Sequence, residues 1–159
     1  MQPTNPNQFT EKAWAAIART PDVVKAAQQQ QIEPEHLLKS LLEEEGLASS
    51  IFSKAGINIH RLRDRIDEFI NRQPKVSSSN TSVYLGKNLD VLLDHAEKER
   101  KSFGDDFISI EHILLAYCKD DRFGKPLYRE MGPDEAKLCN IIQQVRWQCC
   151  HGRCSHVGS

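Results

Sequence analysis

The residues of this chain best suited to proton chemistry are two histidines, each directly after a glutamate, in Glu35-His36 and Glu111-His112. An imidazole that titrates near neutral pH beside a carboxylate is the raw material of a general base. A base also needs a nucleophile or a substrate proton within hydrogen-bond reach, and neither copy supplies a partner nucleophile in sequence. Both are therefore read as packed or capping histidines. A second concentration lies at the end of the chain, where Cys149, Cys150, His151, Cys154 and His156 bring thiols and imidazoles together. Zinc suits such donors, but adjacent cysteines with so short a spacer do not match the C-x-x-C framework of structural sites. Metal binding by this tail is kept as an alternative to a disordered end. Neither Gly86-Lys87 nor Gly124-Lys125 belongs to a G-x-x-x-x-G-K-[ST] phosphate loop, and G-x-S-x-G and H-E-x-x-H are absent. The chain is read as a non-enzyme that needs no cofactor.

The elements that carry the two histidines are copies of one another. Ile32-Glu33-Pro34-Glu35-His36-Leu37-Leu38 returns as Ile108-Ser109-Ile110-Glu111-His112-Ile113-Leu114, a spacing of 76 residues, and the same register pairs Gly56 with Gly132, Leu62 with Leu138 and Ile66 with Ile142. A unit unable to cover its own apolar face can bury it against a second copy. Thr10 is a natural N-cap for a first helix, Thr20-Pro21 predicts a bend in it, and Pro34 occupies the first position of the next. Gly46 ends that second helix, 47–54 forms a third, and Gly56-Ile57-Asn58 turns into a fourth whose stripe is Ile59, Leu62, Ile66, Phe69 and Ile70. The second copy has matching stripes at Leu89, Leu92, Leu93 and Ala96, at Ile110, Ile113, Leu114 and Tyr117, and at Leu138, Ile142 and Val145. No window alternates as a strand does, so the fold class is all-α, a duplicated four-helix repeat with pseudo-twofold symmetry. The expected layout is a flexible start at 1–8, repeat one at about 9–72, a connector at 73–84, repeat two at about 85–146, and the tail at 147–159.

Composition narrows the function classes. The 159 residues hold 21 Lys plus Arg against 22 Asp plus Glu, a formal net charge of −1, so no basic face points to nucleic acid. Apolar runs such as 113–118 fall far short of the roughly 20 residues that cross a bilayer. The start of the chain has no basic segment followed by an apolar one, and a cytoplasmic protein is expected. Cys118 and Cys139 read as small core hydrophobes, Glu43-Glu44-Glu45 as solvated surface, and Asn80-Thr81-Ser82 as a chance glycosylation pattern.

Taken together, Phe9-Thr10-Glu11-Lys12-Ala13, the twin Glu-His motifs, Ala55-Gly56-Ile57-Asn58 and 101–109 (Lys-Ser-Phe-Gly-Asp-Asp-Phe-Ile-Ser) resemble the Clp N-terminal domain family, and within it the ClpB-type disaggregases. The resemblance runs from about Phe9 to Arg146. It implies a mobile domain that weakly engages unfolded or aggregated polypeptide and helps deliver it to a hexameric ATPase, whose ATPase modules lie outside this chain and cooperate with DnaK-type chaperones. It also implies substrate contacts at Thr10, Asp105 and Glu111; Leu93, as an apolar groove residue suited to exposed client segments, and His112 are lesser candidates read from the residues themselves. Purely structural roles fit the same residues: Thr10 as a cap, Asp105 in a turn, Glu111 in a first helical turn, Leu93 in the core. Two other functions remain open, an adaptor-docking domain of a ClpC-like or ClpA-like unfoldase and a stand-alone metal-binding protein acting through the tail.

Overall fold

The computed structural model describes residues 5–43, 46–77 and 82–150, with side chains as far as Arg146. Among these, eight α-helices follow one another: α1 Glu11–Ala26, α2 Pro34–Leu41, α3 Leu47–Lys54, α4 Ile59–Arg72, α5 Lys87–Phe103, α6 Ile110–Ala116, α7 Gly124–Met131 and α8 Glu135–Cys150. The starts of α5, α6 and α8 fall 76 residues after those of α1, α2 and α4, and α7 begins one residue later than that register. The duplicated four-helix bundle read from the sequence is the observed fold.

Local chemistry sets the helix ends. Thr10 Oγ1 accepts from the Ala13 N–H at 3.3 Å, Asn58 Oδ1 does the same for Arg61 at 3.1 Å, and Pro34 stands at N1 of α2. The predicted bend at Thr20-Pro21 falls inside one continuous helix. Pro21 has no N–H for the Ile17 carbonyl, and the buried Thr20 hydroxyl donates to that carbonyl instead, at 2.6 Å. At the other end, α5 stops at left-handed Gly104 (φ 73°) and α1 stops before Gln28, which takes the same conformation (φ 57°) at the position 76 residues earlier.

Short extended pieces that the sequence pattern did not announce stitch the copies together. Strand β1, Gln31–Ile32, pairs in parallel with β2, Tyr84–Leu85, and Phe9 pairs with Ile108 as the symmetry-related bridge. Matching bonds run from Gly86 N–H to the Ile32 carbonyl at 2.9 Å and from Thr10 N–H to the Ile108 carbonyl at 3.0 Å. Each repeat therefore lends its leading segment to the other. The connector is tied to repeat one by Val76 N–H to the Gln28 carbonyl at 2.8 Å.

One apolar core spans both halves, with Leu37, Leu38, Phe52, Leu62, Leu92, Leu93, Ile113 and Tyr117 fully enclosed. Tyr117 crosses it to donate its hydroxyl to the Pro34 carbonyl at 2.6 Å, and Phe69 meets Phe123 with ring centroids 4.8 Å apart. Burial of this much branched apolar surface, about 25 cal/mol per Å², is what joins the repeats into one body. Among the described residues no helix is long and apolar enough to cross a membrane. The last helix runs past the expected boundary at 147 as far as Cys150, since nothing before Gly152 signals a stop. The remaining tail donors His151, Cys154 and His156, and the side chains of Cys149 and Cys150, lie outside the described residues, as do Glu44 and Glu45.

Candidate functional site

The N-terminus of α6 gathers the expected site residues around a single imidazole. Ser109 N–H donates to His112 Nδ1 at 2.8 Å, which makes Nδ1 an acceptor and places the proton of the neutral ring on Nε2. That Nε2–H faces Asp105 Oδ2 at 2.7 Å. Arg146, from the last helix, reaches the same oxygen with Nη2 at 2.5 Å and Glu111 Oε2 with Nε at 3.1 Å. Its guanidinium also lies over the Phe103 ring, 4.8 Å from the centroid. Thr10 joins from the other repeat through the Ile108 bond, with its hydroxyl committed to capping α1.

The charges follow from this packing. Burial pushes Asp105 up, but the bonds from Arg146 and His112 outweigh it and hold the carboxyl below its usual 3.8. Burial drives His112 below 6.5 in spite of Asp105, so the ring is neutral at pH 7. Glu111 is 4% exposed, and its Oε1 is a buried carboxylate oxygen with no hydrogen-bond partner within the protein. That oxygen is closed to solvent, and the partly exposed carboxylate of the cluster is Asp105, its side chain 30% accessible.

The equivalent corner of repeat one is built on the same plan with different letters. Glu33 N–H donates to His36 Nδ1 at 2.9 Å, and His36 Nε2 meets Gln29 Oε1 at 2.6 Å, Gln29 standing where Asp105 stands in repeat two. Where Asp105 meets Arg146, Gln29 turns its amide to the Ile70 carbonyl at 2.7 Å. Glu35 is held by Arg122 through two bonds of 2.8 and 2.9 Å. Both histidines are thus capping residues, as expected from the absence of a nucleophile.

Thr10, Asp105, Glu111 and His112 converge on this corner. Leu93 does not: it is fully buried in the core and offers no surface to a ligand, because its stripe packs against the neighbouring helix α6. His112 is enclosed as well and acts on the surface only through Asp105. Sequence reading missed Arg146 and Arg122, which occupy non-equivalent positions and leave no trace in the repeat. Gln29 was within reach, since the 76-residue register pairs it with Asp105. Among the described residues, the large hydrophobic side chains most open to solvent are Tyr84, Val91 and Phe107, each about half exposed.

Comparison with known proteins places these features in a family. A family model described as the Clp repeat (R) N-terminal domain matches residues 8–131. The chain is 66% identical over 146 residues to the chaperone protein ClpB 2 of a Nostoc species and 64% identical to the chaperone protein ClpB 1 of Thermosynechococcus vestitus, in each case covering 92% of this chain and 17% of the relative's length. It thus spans less than a fifth of those relatives. Among solved structures, the Hsp104 N-terminal domain from Candida albicans superposes with a TM-score of 0.76 at 18% identity, covering 87% of this chain and 91% of that one. The N-terminal domain of the caseinolytic protease associated chaperone ClpD from Arabidopsis thaliana gives 0.66 at 19% identity, covering 89% and 99%.

Proposed function

Because the chain belongs to the Clp repeat (R) N-terminal domain family, we propose that it is the substrate-recruiting N-terminal domain of a ClpB-type chaperone. In this reading it holds unfolded or aggregated polypeptide weakly and hands it to ATPase modules of a hexamer that cooperates with DnaK-type chaperones. The observation that carries the reading is the high identity with cyanobacterial ClpB chaperones across nearly the whole chain. The adaptor-docking alternative has only fold-level support, from the protease-associated relative at 19% identity.

The corner around Asp105 supplies a mechanism. An extended segment has backbone N–H groups that need acceptors, and the partly exposed Asp105 carboxylate is the acceptor of this corner that such a segment can reach. His112 and Arg146 hold that carboxylate in place as a rigid support for docking. Weak binding suits handover, since a grip beyond about 8 kcal/mol means micromolar or tighter affinity.

The test is fluorescence anisotropy with a labelled, permanently unfolded model protein. Micromolar or weaker binding, reduced about tenfold by Asp105→Asn and by Glu111→Gln, which loosens the Arg146 support, in variants that keep their helical spectrum, is the expected result. Nanomolar affinity, or affinity indifferent to both substitutions, contradicts the proposal.

A further inference from the structure

A slot of about 330 Å³ opens in repeat one between the segment 29–31, which runs into β1, and residues 73–76 of the connector. It shares no residue with the Asp105–Glu111 corner. The parallel register fixes which backbone groups of β1 are in use. Tyr84 N–H donates to the Gln30 carbonyl at 3.0 Å and Gly86 N–H to the Ile32 carbonyl at 2.9 Å, with Gln31 opposite Tyr84 and Ile32 opposite Leu85. Successive residues of such a ladder turn their N–H and C=O to opposite edges, so those of Gln31 point away from β2. Among the described residues neither group has a hydrogen-bond partner, and Gln31 is exposed. No residue of β2 lines the slot, which therefore adjoins this unpaired edge.

The polar side chains around the slot are largely engaged within the protein. Gln29 commits its amide to His36 and to the Ile70 carbonyl, and Gln31 donates to the Tyr84 hydroxyl at 3.0 Å. Gln73 donates to the Phe69 carbonyl at 3.1 Å and Lys75 to the Ala27 carbonyl at 3.0 Å. Glu33 turns to Asn88, and Glu35 and Arg122 neutralise each other through their two bonds. Where repeat two carries Asp105 and Asp106, repeat one carries Gln29 and Gln30, so this corner has lost the acids of the other. What it offers a ligand is the backbone edge, and an open edge is a template for another extended chain.

We infer that the slot is a second docking site, in which an extended segment of client polypeptide adds as a strand to the outer edge of β1 and is recognised through its main chain. Three residues of wall correspond to about 10 Å of extended chain. The inference rests on the peptide-binding reading above and gives it a second, sequence-tolerant mode of grip.

A ten-residue peptide of alternating serine and valine, and the same peptide N-methylated throughout, test it by titration against the whole chain, with the labelled unfolded protein as a parallel ligand. The unmodified peptide is expected to bind at least about tenfold better than the N-methylated one, which has no N–H to give the Gln31 carbonyl. Under saturating peptide, hydrogen exchange at the Gln31 amide is expected to slow about tenfold or more. Gln31→Pro removes that donor and leaves the β1–β2 bonds, which use the groups of Gln30 and Ile32. Gln30→Trp, at the half-buried rim, obstructs the slot without touching the edge. Each is expected to weaken peptide binding about three- to tenfold in a protein that keeps its helical spectrum. No binding of the unmodified peptide, equal affinity of the two peptides, unchanged exchange at Gln31, or affinity untouched in both folded variants overturns the second site. If the unfolded protein still binds in that case, the Asp105–Glu111 reading stands alone; if neither the peptide nor the unfolded protein binds, both fall.

Discussion

Each Glu-His pair is a buried device for ending a loop, and its imidazole works only when neutral. The backbone N–H of Glu33 or Ser109 points at Nδ1, so a proton there sets donor against donor and removes the cap. Burial lowers both histidines below 6.5, with Glu35 opposing and Arg122 and Lys39 assisting at His36, and with Asp105 and Glu111 opposing and Arg146 assisting at His112. Because the folded pKa lies below the unfolded one, the unfolded chain takes up these protons first. The stability they confer is complete above about pH 6.5 and falls as pH drops below it toward the depressed values. Glu33 acts in the opposite sense, since burial raises its carboxyl above 4.5 and its protonation in acid favours the fold. Urea unfolding at pH 7.5 and 5.5 separates the two. Wild type is expected to lose stability across that interval, and His36→Asn, whose amide oxygen can accept the same N–H but does not titrate, to lose distinctly less. A slope unchanged in the variant removes His36 as a source.

At the level of elements, α1 shows how one hydroxyl keeps a proline inside a helix. Thr20→Val removes the donor to the Ile17 carbonyl and leaves a buried acceptor bare, at a cost of about 1 to 3 kcal/mol. Pro21→Ala restores the ordinary N–H to that carbonyl, so Thr20→Val made in the Pro21→Ala background is expected to cost less than half as much. Additive effects in a denaturant double-mutant cycle would remove the compensation. The sequence revealed the two residues but not their collaboration: Thr20-Pro21 reads equally well as a second helix start, and only burial of the hydroxyl against its own preceding turn decides otherwise. Helix number, stripes and caps were legible because they repeat and because Thr, Pro, Asn and Gly act locally. The two-residue strands were not, since a segment that short has no period. Leu93 was ambiguous for a related reason, because one stripe of leucine serves a core or a groove equally well until the neighbouring helix is placed. Arg146 and Arg122 were invisible because their partners lie 35 to 87 residues away in the chain and duplication does not copy them.

Across the whole molecule, the two copies have diverged in compensating pairs, and one pair can be reversed by design. In repeat one, Thr10 caps α1 with its own hydroxyl, and Ser109 stands in repeat two at the position that Glu33 holds in repeat one. In repeat two, Gly86 leads α5 with no side chain, and the longer Glu33 comes from the other half to accept from Asn88 at 2.8 Å. A Cβ on Gly86 would lie 2.0 Å from Glu33 Oε1 and 2.8 Å from the Ile32 carbonyl oxygen. Gly86→Thr alone is therefore expected to cost more than about 2 kcal/mol, by expelling a buried carboxylate from its place, and Glu33→Ser alone about 1 kcal/mol through the lost cross-repeat bond. The Ile32 contact need not prevent rescue, because Thr10 carries a Cβ on nearly the same backbone, with φ and ψ of −65° and 160° against −79° and 153° at Gly86. Glu33→Ser combined with Gly86→Thr rebuilds at this edge the Thr–Ser arrangement of the other, and the double variant is expected to recover at least about 1 kcal/mol relative to the sum of the single losses. Thermal unfolding of the four proteins in the cycle measures that coupling. A coupling near zero would mean that the halves tolerate each other merely as packed surfaces, whereas a favourable one ties Glu33 and Gly86 together as a single substitution spread across two repeats.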